Sequence, residues 1–212
     1  MESPRCHGMQ ELPSASAERE RVYDIIRKHS DEEATTPLPT DPLFVHLSHG
    51  LAYTVGSALG SIPPSQDTCL AAFLVRNKAN LTAGARAWSK HFHRSQPRDG
   101  DTDLDKEDNT SPLESGRNAS TGWWGTPSGP VASINERALV LFGRVTGGAT
   151  WRNLHWLPHQ VLVYEVRVPE GYGMRWSQDR NDVGDIGNER PWVFRGFVEP
   201  IMENGHKARW RH

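Results

Sequence analysis

Apolar residues recur with helical spacing in four stretches of the chain, and each stretch follows a helix-start signal. The four predicted helices cover residues 42–59, 66–79, 83–93 and 134–145. Leucines at four-residue spacing form the buried stripe of the first helix, which Asp41 and Pro42 begin as N-cap and first helical residue. The last helix is predicted to begin at a capping box formed by Ser133 and Glu136.

Three stretches rich in β-branched and aromatic residues lie nearer the C-terminal end and predict strands over 161–168, 172–177 and 192–199. Helices followed by strands favour the α+β class rather than alternating α/β units. The expected architecture is a helical layer packed on a small antiparallel sheet.

Two segments have too few large apolar residues to pack. Residues 1–40 are predicted to be a mostly disordered tail with one short helix near 17–29, and residues 95–121 a disordered loop with seven acids against three bases. Such compositions do not repay the entropy of ordering the chain. The prediction is therefore one domain over 41–212, interrupted by the acidic loop.

Composition narrows the class of protein. The net charge is −2, which gives no large basic field and disfavours generic nucleic-acid binding. The sequence has no apolar run long enough to span a membrane and no apolar stretch behind its first residues that resembles a secretory signal. Two cysteines make no disulfide framework. The expected location is the cytoplasm or nucleus, without membrane association.

Familiar catalytic motifs are absent from the sequence. No phosphate-binding glycine loop, dinucleotide fingerprint, nucleophile elbow or zinc-protease helix motif is present, so the sequence identifies no cofactor. Ten histidines occur, and three short pairs stand out. His46 and His49 are predicted to share the helix face opposite the leucines, and His155 and His159 flank a proline. Without a carboxylate at ligand spacing, no stoichiometric structural metal is predicted, and a weak catalytic metal site at these histidines stays open as an alternative.

These histidines are candidates for acid/base or anion-binding groups, and ordinary structural hydrogen bonding is the alternative. Arginine and tryptophan suggest a second kind of site, because seven of the eight tryptophans and ten arginines lie after residue 121. Arginine forms paired hydrogen bonds to phosphate or carboxylate, and tryptophan stacks on flat or cationic groups. The candidate ligand-binding residues are Trp123, Trp124, Arg152, Arg175 and Arg195. The alternative is a tryptophan core surrounded by surface arginines.

The last predicted strand offers carboxylate chemistry. Strand alternation places Val193, Arg195, Phe197 and Glu199 on one face. Glu199, or Glu165 on a neighbouring strand, is a candidate general acid/base at the open face of the sheet. The alternative is a cross-strand ladder of ion pairs.

Three phrases of the sequence resemble those of a family of uncharacterised eukaryotic proteins, fungal ones among them. The phrases are Gly122-Trp123-Trp124-Gly125, the stretch from Trp151 to His159, and Arg195-Gly196-Phe197-Val198-Glu199-Pro200. The resemblance covers roughly 42–94 and 122–212 and implies no activity, so the functional interpretation rests on the residues alone.

Two functional hypotheses follow. The first is a small intracellular enzyme whose pocket, lined by histidine, arginine and tryptophan, takes an anionic or nucleotide-like small molecule. The second is a non-catalytic binding or scaffold protein that engages a protein partner through its tryptophan and arginine surface and its basic end, residues 207–212.

Overall fold

A computed structural model describes residues 3–31, 37–95, 122–181 and 190–201 of the chain. These ranges contain helices, one short 3-10 helix and four strands. The helices are α1 (Ala15–Asp31), α2 (Pro42–Ser48), α3 (Gln66–Leu74), α4 (Ala83–His91), the 3-10 helix Phe92–Ser95 and α5 (Val131–Gly147). The strands are β1 (Trp151–Leu157), β2 (Val161–Arg167), β3 (Gly173–Asp179) and β4 (Val193–Val198). The predicted acidic loop falls outside the described residues, apart from Ser95.

The strands form one antiparallel sheet in the order β1-β2-β3-β4, so each strand pairs with its neighbour in sequence. The α+β prediction is confirmed, as are the three predicted strands to within a residue or two at their ends. In the described part of the chain, no helix is long and apolar enough to cross a membrane.

One face of the sheet packs against helices α3, α4 and α5 through aromatic rings. Phe73 of α3 meets Phe142 of α5 with ring centroids 5.2 Å apart and Phe194 of β4 at 4.9 Å. Trp176 of β3 is fully buried in the same cluster. Edge-to-face contacts of this kind add to the free energy gained by burying the rings. This core fills the space between the helical layer and the sheet.

The first predicted helix is much shorter than expected. Helix α2 ends at Ser48 rather than at residue 59, because Gly50 adopts a positive φ of 69° that a continuing helix does not allow. The following segment is extended and runs beside β1. The amides of Ala52 and Ala58 donate to the carbonyl oxygens of Arg152 and Leu154 at 2.7 and 2.8 Å.

Several other local features differ from the predictions. Helix α5 begins at Val131, with Pro130 as N-cap and no side-chain capping bond, so the expected capping box lies inside the helix. Strand β1 was not predicted at all. The structure also gives α3 and α4 as shorter helices than expected.

The N-terminal residues contact the rest of the domain. Helix α1 extends the helix predicted near 17–29, and its Val22 is buried against Phe44 and Leu47 of α2. Ahead of α1, the amide of Arg5 donates to the Thr150 carbonyl at 3.0 Å, just before β1. The small apolar face of α1 is thus enough to order residues expected to be largely a tail, because it meets a second apolar face.

Candidate functional site

The sheet face opposite the aromatic core carries a group of polar side chains. Because side chains alternate between faces, the register places Asn153, Glu165 and Arg175 in one row across β1, β2 and β3. His155 lies one pair further along β1, diagonal to Glu165. We call His155, Glu165, Arg167 and Arg175 the sheet-face cluster.

Glu165 is the centre of this cluster. Its side chain is 4% exposed, and its two carboxylate oxygens accept from two different arginines. The Nε of Arg167 donates at 2.5 Å to one oxygen, and the Nε of Arg175 donates to the other. Burial opposes ionisation, but the two guanidinium groups outweigh it and hold the pKa of Glu165 below its usual value. Glu165 is therefore an anion that orients arginines.

The two arginines differ in how many of their guanidinium nitrogens lack a hydrogen-bond acceptor in the described residues. Arg167 is buried, and its Nη1 also donates to the carbonyls of Gly171 at 2.5 Å and Glu199 at 2.8 Å. It joins β2 to the following turn and to the end of β4. The side chain of Arg175 is 36% exposed, and its terminal nitrogens have no acceptor among the described residues. Arg175 therefore presents two fixed donors to an incoming anion.

His155 adds an imidazole to the cluster, beside the ionised Glu165. Its side chain is half-buried and makes no hydrogen bond within the described ranges. Burial lowers the pKa of His155, while the nearby Glu165 partly offsets this effect. At neutral pH the imidazole is therefore uncharged and free to accept a proton.

A hydrogen-bonded loop supports the side of β1 that carries His155. The side-chain Nδ2 of Asn153 donates to the Thr54 hydroxyl at 2.9 Å, and the Ser57 hydroxyl donates to the side-chain Oδ1 of Asn153 at 3.2 Å. Ser57 also forms an antiparallel bridge with His155 itself. The backbone that positions the imidazole is thus held on both sides.

The first histidine pair does not form the predicted common face. His46 is fully buried, and its Nε2 lies 2.9 Å from the Ala52 carbonyl oxygen, whereas His49 is exposed at the end of α2. The expectation that His46 faces away from the core is wrong, because α2 is covered by α1 on one side and by the segment after Gly50 on the other. Leu47 is buried, as expected.

Two other predicted residues lie outside the cluster. His159 is exposed in the β1–β2 turn with a φ of 63°. Arg195 is exposed and has no cross-strand partner, because the pairing of β3 with β4 shifts at Arg175 and Trp176 and makes Arg195 the extra residue of a bulge. The predicted alternation along β4 is therefore wrong. The bulge puts Phe194 and Phe197 in the same core.

The aromatic candidates pack within the protein. Trp124 is buried in the core, and Trp123 is stacked on Tyr172 at 4.6 Å with the Arg144 guanidinium 3.8 Å from its ring centroid. Both faces of the Trp123 ring are thus occupied.

Glu199 lies at the end of β4, where burial raises its pKa and Arg94 opposes that shift from 3.9 Å. Arg167 and Arg175 of the sheet-face cluster also act to lower this pKa, so the Glu199 carboxylate lies at the border of the cluster. The basic end of the chain, residues 207–212, lies outside the described residues.

Arg167 is the cluster member that sequence reasoning did not select. The available signal was its spacing, because Glu165 and Arg167 are two residues apart and therefore share a face of β2. Within the described residues, no group of three or more His, Cys, Asp or Glu side chains is placed to hold a metal ion.

Comparison with known proteins supplies an activity to weigh against this geometry. Residues 113–186 match the family model described as the CdiA C-terminal tRNase toxin domain. The match covers less than half of the chain, yet it includes α5, β1, β2 and β3 and hence the whole sheet-face cluster. No curated protein and no solved structure matches the chain.

This similarity corrects the expectation that nucleic acid is not a partner, since a tRNase domain acts on tRNA. The net charge was a poor guide to nucleic-acid binding because it sums over the whole chain, including the acidic segment. Residues 95–121 have four more acids than bases, so the remaining residues carry a small positive net charge. The similarity also names an activity, which the resemblance to uncharacterised proteins did not, and the eukaryotic origin stays a prediction.

Proposed function

We propose that this protein is an endoribonuclease that cleaves tRNA at the sheet-face cluster. The observation that carries the proposal is the convergence of an uncharged His155 and an anion-binding Arg175 on the polar sheet face, inside the residues that match a tRNase family model. Acid/base and phosphate-binding groups are the two requirements for cleaving an RNA phosphodiester.

The chemistry follows from the 2′-hydroxyl of RNA. His155 accepts the proton of the 2′-hydroxyl, and the resulting oxygen attacks the adjacent phosphorus. The bond from phosphorus to the 5′-oxygen of the next nucleotide then breaks, and this oxygen takes a proton from solvent. The products are a 2′,3′-cyclic phosphate and a 5′-hydroxyl. The step needs no oxidant or further reactant.

Arg175 binds the reacting phosphate in this scheme. Charge increases on the phosphate oxygens as the 2′-oxygen approaches, and a fixed guanidinium stabilises that charge without having to reorganise. Glu165 holds Arg175 through its Nε, which leaves the terminal nitrogens directed away from the ion pair. Arg167 and Glu165 are positioning residues, because both are buried and neither offers a free group.

The test is cleavage of purified tRNA by His155→Ala and by a matched histidine variant. His159→Asn is the control, because His159 lies in the same matched segment but is exposed in a turn, and asparagine tolerates its positive φ. We expect His155→Ala to lower kcat/KM by about 100-fold or more, the usual size of a general-base effect. His159→Asn should stay within twofold of wild type.

Two further measurements sharpen this test. The wild-type kcat/KM should fall as the pH drops through the lowered pKa of His155, and the cleaved RNA should end in a cyclic phosphate. Arg175→Lys should have a lower kcat/KM than wild type although it keeps the positive charge, because lysine cannot form the paired hydrogen bonds. Full activity in His155→Ala, or a 5′-phosphate product, would show that the proposed chemistry is wrong.

A further inference from the structure

A small pocket lies on the other face of the sheet, beside β1. It has a volume of about 200 Å³ and is enclosed by the end of α2, the start of α3, the end of α5 and the first two strands. Its polar lining residues are His49, Gln66, Cys69, Thr146, Arg152 and Tyr164. Among the described residues, no carboxylate lines it. We call it the β1 pocket.

Tyr164 is the feature of this pocket that indicates a ligand. Its side chain lines the cavity although the residue is only 8% exposed, and its hydroxyl has no hydrogen-bond partner in the described residues. The hydroxyl faces the cavity and is therefore available to a ligand or to an ordered water molecule. Burial raises the pKa of Tyr164 to about 12, so the hydroxyl keeps its proton and can donate a hydrogen bond.

The charges around the cavity select an anion. The side chain of Arg152 is exposed, has no ion-pair partner among the described residues, and is close enough to Tyr164 to favour its ionised form. His49 adds a second nitrogen donor or acceptor at the rim. A pocket of about 200 Å³ is smaller than the 300–1,000 Å³ typical of sites for whole drug-sized ligands. It is suited to a compact group such as phosphate.

We infer that the β1 pocket binds a phosphate group of the RNA strand away from the cleaved bond, through Arg152 and the Tyr164 hydroxyl. This inference rests on the proposed function. A phosphate could also belong to a free nucleotide, which has the same chemistry.

The RNA strand is favoured by the position of the pocket. Arg152 and His155 lie on the same strand, about 10 Å apart along it, and point to opposite faces. An RNA strand carries one phosphate per nucleotide and can therefore occupy both sites at once, whereas a free mononucleotide can occupy only one.

The first experiment measures binding without cleavage. Inorganic phosphate is titrated into the wild-type protein while backbone amide signals are followed by NMR. We expect saturable shifts at Arg152 and Tyr164, which Tyr164→Phe weakens and Arg152→Gln abolishes. Absence of these shifts in wild type overturns the phosphate site, whether or not the protein cleaves tRNA.

The second experiment identifies the source of the phosphate. Fluorescent tRNA is bound to a His155→Ala protein, alone and combined with Arg152→Gln or with Arg86→Gln. Arg86 is an exposed arginine of α4, a helix that packs on α5 and β4, and serves as the matched control. We expect Arg152→Gln to raise Kd at least tenfold and to lower the slope of log K against log salt by about 1, the loss of one phosphate contact. Arg86→Gln should change neither.

The outcomes separate the two proposals. Unchanged tRNA binding in Arg152→Gln, with adenosine 5′-monophosphate binding the pocket more tightly than inorganic phosphate, would overturn the RNA assignment in favour of a free nucleotide. Phosphate shifts and an Arg152-dependent Kd in a protein that cleaves no tRNA would support the pocket while refuting the proposed nuclease. If Arg152→Gln loses the phosphate shifts and raises the Kd for tRNA, and the wild-type protein cleaves tRNA, the results support both the β1 pocket and the proposed nuclease.

Discussion

Replacing Glu165 by glutamine tests whether the sheet-face cluster is held together by charge. The side chain keeps its shape but loses the negative charge that faces Arg167 and Arg175. Arg167 remains buried with its carbonyl acceptors but without a counter-ion. Removing one partner of a buried ion pair costs about 3–5 kcal/mol, because the other charge stays desolvated. Arg175 adds little to this cost since solvent screens its charge.

The matched control is Asp179→Asn. Asp179, the last residue of β3, forms an ion pair with Arg190, which precedes β4, but both side chains are more than 40% exposed. Exposed pairs contribute less than about 1 kcal/mol. Urea unfolding at pH 7 gives the free energy of unfolding of each variant, and equal m-values would show that the comparison is sound.

The pH dependence of the difference identifies its cause. The folded pKa of Glu165 is lowered, so its stabilising contribution is complete above the unfolded pKa of about 4.3 and disappears as the pH falls through the folded value. The gap between wild type and Glu165→Gln should therefore be constant from about pH 6 to 8 and shrink below about pH 4. A loss under 1 kcal/mol at pH 7, or a gap that persists at low pH, would refute the assignment.

Two further predictions concern the core. Gly84→Ala should destabilise the protein by about 1–3 kcal/mol or more, because the added Cβ would lie within 2 Å of the Phe73 ring, whereas Gly143→Ala has open space and should stabilise α5 by about 0.5–1 kcal/mol. Thermal unfolding gives the Tm of each variant, and a similar change in Tm for both would contradict the close packing of Phe73 on Gly84. Burial lowers the pKa of His46, so the unfolded chain binds more protons below about pH 6.5 and wild-type stability should fall from pH 7 to pH 5. His46→Gln should flatten that slope in urea titrations at each pH, and an unchanged slope would assign it to other groups.

The elements that could be predicted from sequence are those with a continuous apolar run or a regular apolar stripe. The strand Val161–Arg167 has an apolar run bounded by turn residues, and the apolar stripe of α2 is real even though the helix is short. Strand β1 could not be found in this way. Its Trp151 and Leu154 are buried on opposite faces, and Asn153 is buried as well, so no alternation of apolar and polar residues remains.

The candidate site could also be predicted only in part. His155, Glu165 and Arg175 are each recognisable as residue types able to do this chemistry. Their convergence depends on the register of three strands, and one of those strands has no sequence signal. Nothing in the sequence distinguishes His155 from His159, because the turn that separates them is defined only once β1 pairs with β2.

The register of β2 also explains how one short strand contributes to both proposed sites. Tyr164 and Glu165 are neighbours in sequence, so pleating sends the first side chain to the β1 pocket and the second to the sheet-face cluster. Both side chains are fixed by a strand that is paired on both sides, which limits movement of the groups they orient. The charges that the two sites offer to a ligand are the positive charges of Arg152 and Arg175, whereas the net charge of the chain is −2. The proposed binding of a polyanion therefore depends on where guanidinium nitrogens lack an acceptor, as in Arg152 and at the terminal nitrogens of Arg175, and total charge is a poor guide to it.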